Sequence, residues 1–314
     1  MRLFLFFVLF ATALVAKDIK PDYKLKASGG VTDMVIANDK LYAGTDASCV
    51  DIFDIKSKKK INSIVISKIK DFMGDEIDSK IYSIDVLDGA VLILSQDNGG
   101  YRRVDIYKDG KLSHVVTKSE RMYISKAKFI DKNTILLGLL SNVVISYEIA
   151  TKKHKWEVQP TESKFSNFVL NSEKTKAIST DESGDLRMLK LDDGSIVKTF
   201  SGQNVDNVFQ VDWKNSTIVT AGQDRRCVVF DEKTKGGYYK DATFLIYSVG
   251  LREDSVLAAY ASDELNNVTL FNTKTKQVKA KLVGNKSNIS SIVLYKNNQV
   301  FVACDGDEIN HYSY

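Results

Sequence analysis

A repeat of about forty residues constrains the fold of this chain more than any other feature. Seven segments share one order of strand, short turn, strand, polar turn, strand, Lys-rich turn and strand. One third-strand position recurs at intervals of 54, 40, 42, 41, 41 and 41 residues, at Phe53, Tyr107, Tyr147, Leu189, Phe230, Phe271 and Tyr312. A period of about 40–45 residues with four strands per unit is typical of a β-propeller. We therefore predict an all-β, seven-bladed propeller, with a flat array of β-sandwich units as the alternative.

The two ends of the repeat predict how the ring closes. The seventh unit stops at Tyr314, after its third strand, so that its fourth strand is missing. Residues 21–28, PDYKLKAS, are an unassigned strand that we expect to complete blade seven. The long first interval is explained by an insertion between blades one and two, residues 68–80. Residues 17–314 are accordingly predicted to form a single propeller domain.

The first sixteen residues predict export. Arg2 precedes an apolar run from Leu3 to Leu14, and small residues follow, which is typical of a secretory signal peptide. We expect cleavage after Ala16, with Ala13 as the second choice. An uncleaved anchor is the alternative, although the run is short for a hydrocarbon core about 30 Å thick. No Cys lies near the cut, so we expect no lipid anchor and no stable attachment to the membrane.

Composition and motifs argue against several function classes. The net charge is +4, from 44 basic and 40 acidic residues, which is too balanced to indicate nucleic-acid binding. The three His are scattered, and Cys49, Cys227 and Cys304 match no zinc or haem spacing, so that we predict no metal site and no cofactor. An odd number of Cys leaves at least one thiol unpaired, and a disulfide between the other two stays open. No nucleophile elbow, P-loop or Rossmann fingerprint is present, and we expect no catalytic residue.

The repeat resembles the WD40 family in length, strand order and a polar turn with Asp, although it lacks the Gly-His and Trp-Asp dipeptides. Blade three also resembles the quinoprotein repeat at Thr151, Lys153 and Trp156, but Glu148 and Lys152 depart from it, and no quinone cofactor follows.

The leader and the whole repeat, notably the run VTDMVIANDKLYAGTDASCVDIFDI from Val31, resemble the L-type accessory family of periplasmic nitrate reductase gene clusters in Campylobacter-like bacteria. The resemblance implies a periplasmic, non-catalytic scaffold that acts through protein–protein contacts, with the reductase catalytic subunit as the expected partner. We expect a monomer. The alternatives are a propeller scaffold for outer-membrane assembly, and a hydrolase or lactonase that uses channel residues such as Asp33, Ser83, Asp85 and Ser290.

A WD40-like strand order places the turns between strands two and three on one rim, together with the links between blades. The candidate partner contacts on this rim are acidic and basic residues of those turns and the apolar residues of the insertion: Asp46, Asp97, Asp181, Asp224, Arg225, Arg226, Asp263, Asp305, Asp307, Phe72 and Met73. Glu182, Arg102 and Arg103 are further candidates. The alternative is that each Asp caps its own turn. Lys-rich turns predict a basic opposite rim, at residues 56–60, 151–155, 232–235 and 272–276.

Overall fold

The computed structural model describes residues 17–314 apart from positions 235 and 297, so that the predicted signal peptide (residues 1–16) lies outside the described residues. Within this range the chain is almost wholly β. The two helices are single 3₁₀ turns, at Asn98–Gly100 and Lys118–Glu120.

The strands follow one another in repeating sets of four. The described residues begin with β1 (Lys17–Ile19) and β2 (Tyr23–Lys26). Blade one contains β3 (Val31–Ala37), β4 (Lys40–Thr45), β5 (Cys49–Asp54) and β6 (Lys59–Val65), and a small hairpin of β7 (Ile69–Lys70) and β8 (Glu76–Ile77) follows it. Blades two and three contain β9 (Ile81–Leu87), β10 (Ala90–Gln96), β11 (Arg102–Lys108), β12 (Lys111–Val116), β13 (Ile124–Phe129), β14 (Thr134–Leu139), β15 (Val144–Glu148) and β16 (Lys153–Val158).

The remaining blades continue the same order. Blades four and five contain β17 (Phe165–Leu170), β18 (Lys176–Asp181), β19 (Leu186–Lys190), β20 (Ile196–Phe200), β21 (Val208–Lys214), β22 (Thr217–Gly222), β23 (Arg226–Asp231) and β24 (Gly237–Asp241). Blades six and seven contain β25 (Val249–Leu251), β26 (Leu257–Ala261), β27 (Val268–Asn272), β28 (Val278–Leu282), β29 (Ile289–Tyr295), β30 (Gln299–Cys304) and β31 (Glu308–Ser313).

Neighbouring strands within a blade pair antiparallel in chain order. The first strands of neighbouring blades contact one another, as β3 contacts β9 and β29 contacts β3, so that the first strands line a central channel. The second strands lie deeper in the wall, which explains their apolar runs, such as AVLILS in β10 and QVFVAC in β30. The predicted seven-bladed propeller is confirmed.

The hydrophobic core consists of seven clusters, one between each pair of neighbouring blades. A single blade cannot bury both faces of its sheet, and stacking around the ring buries them. Six of the seven third-strand marker residues are buried, and Tyr107 packs partly buried against the cluster between blades one and two. The repeat interval in the sequence is therefore the number of residues from one inter-blade cluster to the next.

Ring closure depends on β2, as predicted. This strand pairs antiparallel with β31, with Leu25 opposite Ile309, and becomes the outer strand of blade seven. Leu25 and Ala27 are buried in the cluster that joins blade seven to blade one. The Tyr23 ring stacks on His311 with centroids 4.2 Å apart.

The strand β1 was not predicted. It pairs parallel with β28, with Lys17 opposite Ala280, and adds a fifth strand to the outer edge of blade six. The first ten described residues therefore cover the outer edges of two adjacent blades.

Candidate functional site

The ring has two rims that differ in their exposed side chains. The upper rim is the side formed by the turns between the second and third strands of each blade and by the links between blades. The lower rim is the side formed by the turns between first and second strands and between third and fourth strands. Seven large hydrophobic residues are exposed on the upper rim: Phe72, Met73, Ile77, Tyr123, Leu140, Val205 and Leu265. The others that are exposed lie on outer strands, and none of the described lower-rim turns exposes one.

All the predicted partner-contact residues lie on the upper rim, but several of them bond within the fold. Asp181 is buried, and its carboxylate accepts hydrogen bonds from Asn142 Nδ2 at 3.0 Å and Thr161 Oγ1 at 2.7 Å. It also accepts from the Ser183 backbone N–H and pairs with Arg187 Nη1 at 2.9 Å. This carboxylate joins its own turn to the link that enters blade four.

Other turn acids bond to neighbouring links in the same way. Asp46 Oδ1 accepts from the Gly30 backbone N–H at 2.7 Å, and Asp224 Oδ2 accepts from the Val205 N–H at 2.8 Å. The link passes so close to Asp46 that a Cβ on Gly30 would lie 2.8 Å from Asp46 Oδ2. Asp97 accepts from Asn98 and from Lys118 of the next link. Asp97 and Asp224 also accept from N–H groups of their own turns, as the turn-capping alternative expects, whereas the bond of Asp46 is to the link alone.

The remaining acids of the upper rim are more accessible. Asp263 caps its own turn at Asn267 and pairs with Lys281 at 2.8 Å. Asp307 pairs with Lys26 at 2.8 Å, and Asp305 is exposed. Glu182 is also exposed, with Lys164 at 3.7 Å. Their role as partner contacts stays a prediction.

The two arginine pairs divide between buried and exposed positions. Arg103 is buried and pairs with Asp105 at 3.0 Å, and Arg102 lies 4.0 Å from the centroid of the Tyr82 ring. Arg226 lies over the Tyr239 ring at 4.4 Å. Arg225 is exposed, with a positive φ of 64°, and is the member of the two pairs that a partner reaches most directly.

The lower rim carries the predicted lysines at or beside its turns. Lys58 lies 4.5 Å from the centroid of the Tyr23 ring, and Lys276 lies 4.3 Å from that of Tyr238. Lys152 and Lys153 are exposed at the start of β16, and Lys235 lies outside the described residues. The carboxylates among these turns include Asp54 and Glu232, so that the two signs are mixed.

The central channel contains a cavity of about 820 Å³ that reaches the lower rim. Its polar groups largely tie one blade to the next. Asp33 accepts from the Ile84 backbone N–H at 3.0 Å, and Asp85 accepts from the Phe129 N–H at 2.8 Å. Ser83 accepts from the Ala127 N–H at 3.0 Å. Ser290 donates to the Val31 carbonyl at 2.7 Å. The four residues named for a hydrolase therefore have bonds within the ring wall.

Lys126 is a channel residue that no sequence motif indicated. Its Nζ donates to Asn167 Oδ1 at 2.6 Å, and no carboxylate of the described residues lies within ion-pair distance of it. Burial lowers the pKa of Lys126 to about 8, and the charge of Lys128 adds to this effect, while Asp33 opposes it. The position could have been found by aligning the first strands, where it matches Asp33 and Ser83.

The three cysteines are buried and unpaired, and burial raises the pKa of the Cys227 and Cys304 thiols. Among the described residues, no group of three or more His, Cys, Asp or Glu side chains is placed to hold a metal ion. In this part of the chain, no helix is long and apolar enough to cross a membrane.

The fold and its surfaces define a β-propeller with an apolar, acid-bearing upper rim and a lysine-bearing lower rim. No model of a known protein family and no curated protein matches the sequence. Among solved structures, the chain is similar to the crystal structure of the computationally designed Ika8 protein, with a TM-score of 0.67 and 12% identity over 95% of this chain and 100% of that one. At this identity the likeness concerns the fold alone.

Proposed function

We propose that this protein is a non-catalytic scaffold that binds a protein partner through its upper rim. The observation that carries the proposal is the confinement of exposed apolar turn residues to that rim. Exposed apolar side chains that lie together and are rimmed by polar groups are typical of protein-binding surfaces, and Phe72, Met73 and Ile77 share one insertion. The rigid wall behind them, with seven inter-blade clusters, would hold such contacts in fixed positions.

The proposal extends to compartment and partner through the resemblance in sequence. The leader favours export to the periplasm, and the repeat resembles the accessory family of periplasmic nitrate reductase. We therefore propose the catalytic subunit of that reductase as the partner. The channel-enzyme alternative has less support, because Asp33, Ser83 and Asp85 already bond to backbone groups of the next blade.

The test combines a gene deletion with purified components. We expect periplasmic extracts of a deletion strain to reduce nitrate more slowly than extracts of the wild type. We also expect the purified mature protein to bind the purified catalytic subunit. Normal nitrate reduction together with no binding would overturn the proposal. A loss of outer-membrane proteins with nitrate reduction intact would instead support the outer-membrane assembly alternative.

A further inference from the structure

The insertion of residues 68–80, here called the docking hairpin, is fixed to the ring at its base. Ile69 is buried, and the Lys70 backbone N–H donates to Asn98 Oδ1 of blade two at 2.7 Å. On the other side, the Ser79 N–H donates to Ser48 Oγ of blade one at 2.7 Å. The Ser48 hydroxyl in turn donates to Asp78 Oδ1 at 2.8 Å. The base is therefore held by both neighbouring blades.

Hydrogen bonds within the docking hairpin hold the conformation of its tip. Asp71 Oδ1 accepts from the backbone N–H of Met73 at 2.8 Å and of Asp75 at 2.9 Å. Gly74 has a φ of 94°, the left-handed conformation that glycine adopts without strain. This turn directs Phe72 and Met73 away from the ring, with 95% and 73% of their surface exposed. A held turn loses little conformational freedom on binding.

The charge of the tip indicates the kind of surface that it fits. Residues 71–77, DFMGDEI, contain three carboxylates and no basic residue. Asp75 and Glu76 are exposed, and their side chains make no hydrogen bond to the described residues. Opposite charges on two surfaces steer their association, so that basic groups are the complement of this tip.

Neither rim of a second copy offers that complement. Its lower rim supplies lysines, but the described lower-rim turns expose no large hydrophobic residue. Its upper rim exposes apolar groups, but these are accompanied by carboxylates that would repel the tip.

We propose that the docking hairpin anchors a different protein, by inserting Phe72 and Met73 into an apolar pocket edged by Lys or Arg side chains. This inference rests on the proposed function for the identity of the partner, the reductase catalytic subunit. It adds where that partner binds and what its surface must contain. Large side chains in a desolvated pocket are the usual source of most binding energy at an interface.

The first experiment measures binding of the purified catalytic subunit to the mature protein by biolayer interferometry. We expect Phe72→Ala with Met73→Ala to weaken binding at least about tenfold, without changing the melting temperature. Asp75→Asn with Glu76→Gln should slow association and make it less sensitive to salt.

Two matched controls locate the effect. Val65→Ala removes an apolar side chain that is about as exposed as Met73 from the adjacent strand β6. Lys152→Glu with Lys153→Glu alters the lower rim, and both variants should bind like wild type. Wild-type binding that survives the double Ala substitution would overturn the hairpin as anchor and leave the proposed function standing.

The second experiment separates the anchor from the identity of its partner. A photo-crosslinking amino acid is placed at position 72 in cells, with position 152 as control, and adducts are identified by mass spectrometry. An adduct with the catalytic subunit at position 72 alone supports both proposals. An adduct with another identified protein, weakened by salt and by the Asp75 and Glu76 substitutions, supports the anchor and overturns the proposed partner. An adduct with a second copy, or none at position 72, overturns the anchor.

Discussion

The upper and lower rims are both made of turns, but their backbone N–H groups are hydrogen-bonded in different ways. Several lower-rim turns are tight hairpins with two residues of positive φ, such as Asp88 with Gly89 and Asp109 with Gly110. Such turns match the twist of the strands and close with few free N–H groups. Upper-rim links must cross from an outer strand to the next inner strand, and their N–H groups need other acceptors.

This difference explains which groups the acids bond and where the insertion lies. Lower-rim acids such as Asp54 and Asp193 accept from N–H groups of their own turns. Carboxylates such as Asp46, Asp181 and Asp224 supply the acceptors that the upper-rim links lack. The links also have the length to carry apolar residues outward and to accept the docking hairpin. Several lower-rim lysines face solvent. The rim whose links need more hydrogen-bond acceptors is therefore also the rim that exposes more apolar side chains.

Both rims rest on one closed ring, so that removing the closing strand β2 should have the largest effect. Deleting residues 17–26 from the mature chain removes β2 and the buried Leu25. We expect the melting temperature, followed by circular dichroism, to fall by about 10 °C or the fold to be lost.

Deleting residues 17–19 alone is the matched control, because β1 only covers an edge that is already part of blade six. This deletion should lower the melting temperature by about 2 °C. Leu25→Ala keeps the strand and should still cost about 3 kcal/mol in unfolding free energy. An unchanged melting temperature in the longer deletion would show that the ring closes by another route.

The second prediction compares one acid from each rim. Asp181→Ala leaves Arg187 without its nearer carboxylate and removes the acceptor for two neighbouring side chains, so that we expect a loss of about 3 kcal/mol in urea unfolding. Asp39→Asn removes the charge of an exposed lower-rim pair with Lys296 at 2.6 Å, keeps a side chain that tolerates the positive φ of this position, and should cost much less. Equal losses would contradict a structural difference between the rims.

The third prediction concerns the channel between the rims and has the smallest expected effect. The folded pKa of Lys126, about 8, lies below its ordinary value of 10.5, because burial disfavours the charged form. The unfolded chain therefore binds more protons between these values, and stability should rise as pH rises through that window. Relative to Lys126→Met, the wild type should gain about 2 kcal/mol between neutral pH and pH ~10.

Urea unfolding of both proteins across this range measures the difference, since the other titrating groups are common to the two chains. Parallel pH profiles would show that Lys126 keeps an ordinary pKa in the folded protein.

Much of the fold could be predicted because the repeat reports inter-blade packing directly. The interval from Phe230 to Phe271 to Tyr312 marks one buried third strand per blade, and the missing last strand pointed to residues 21–28 as the latch. The strand β1 escaped prediction, because three residues paired parallel to an outer edge leave no periodic pattern.

The candidate surface was predictable only in part. Phe72 and Met73 stand out as apolar residues within a charged insertion. Val205 and Leu265 do not, because a single apolar residue in a turn is buried as readily as it is exposed. Lys126 does not stand out in a Lys-rich sequence, and only the closed ring shows that it lies in the channel.

The sequence by itself determined the number of blades, their strand order and the segment that closes the ring, since alternating apolar residues at a constant interval can bury their faces only by stacking. The tertiary structure decided which acids serve the fold and which face solvent. That outcome depends on which link passes beside which turn: Asp181 is enclosed by groups from positions 142 and 161, whereas Asp75 meets none. The same residue type therefore holds the ring together at one place and faces outward at another, because neighbours distant in sequence supply or withhold its hydrogen-bond donors.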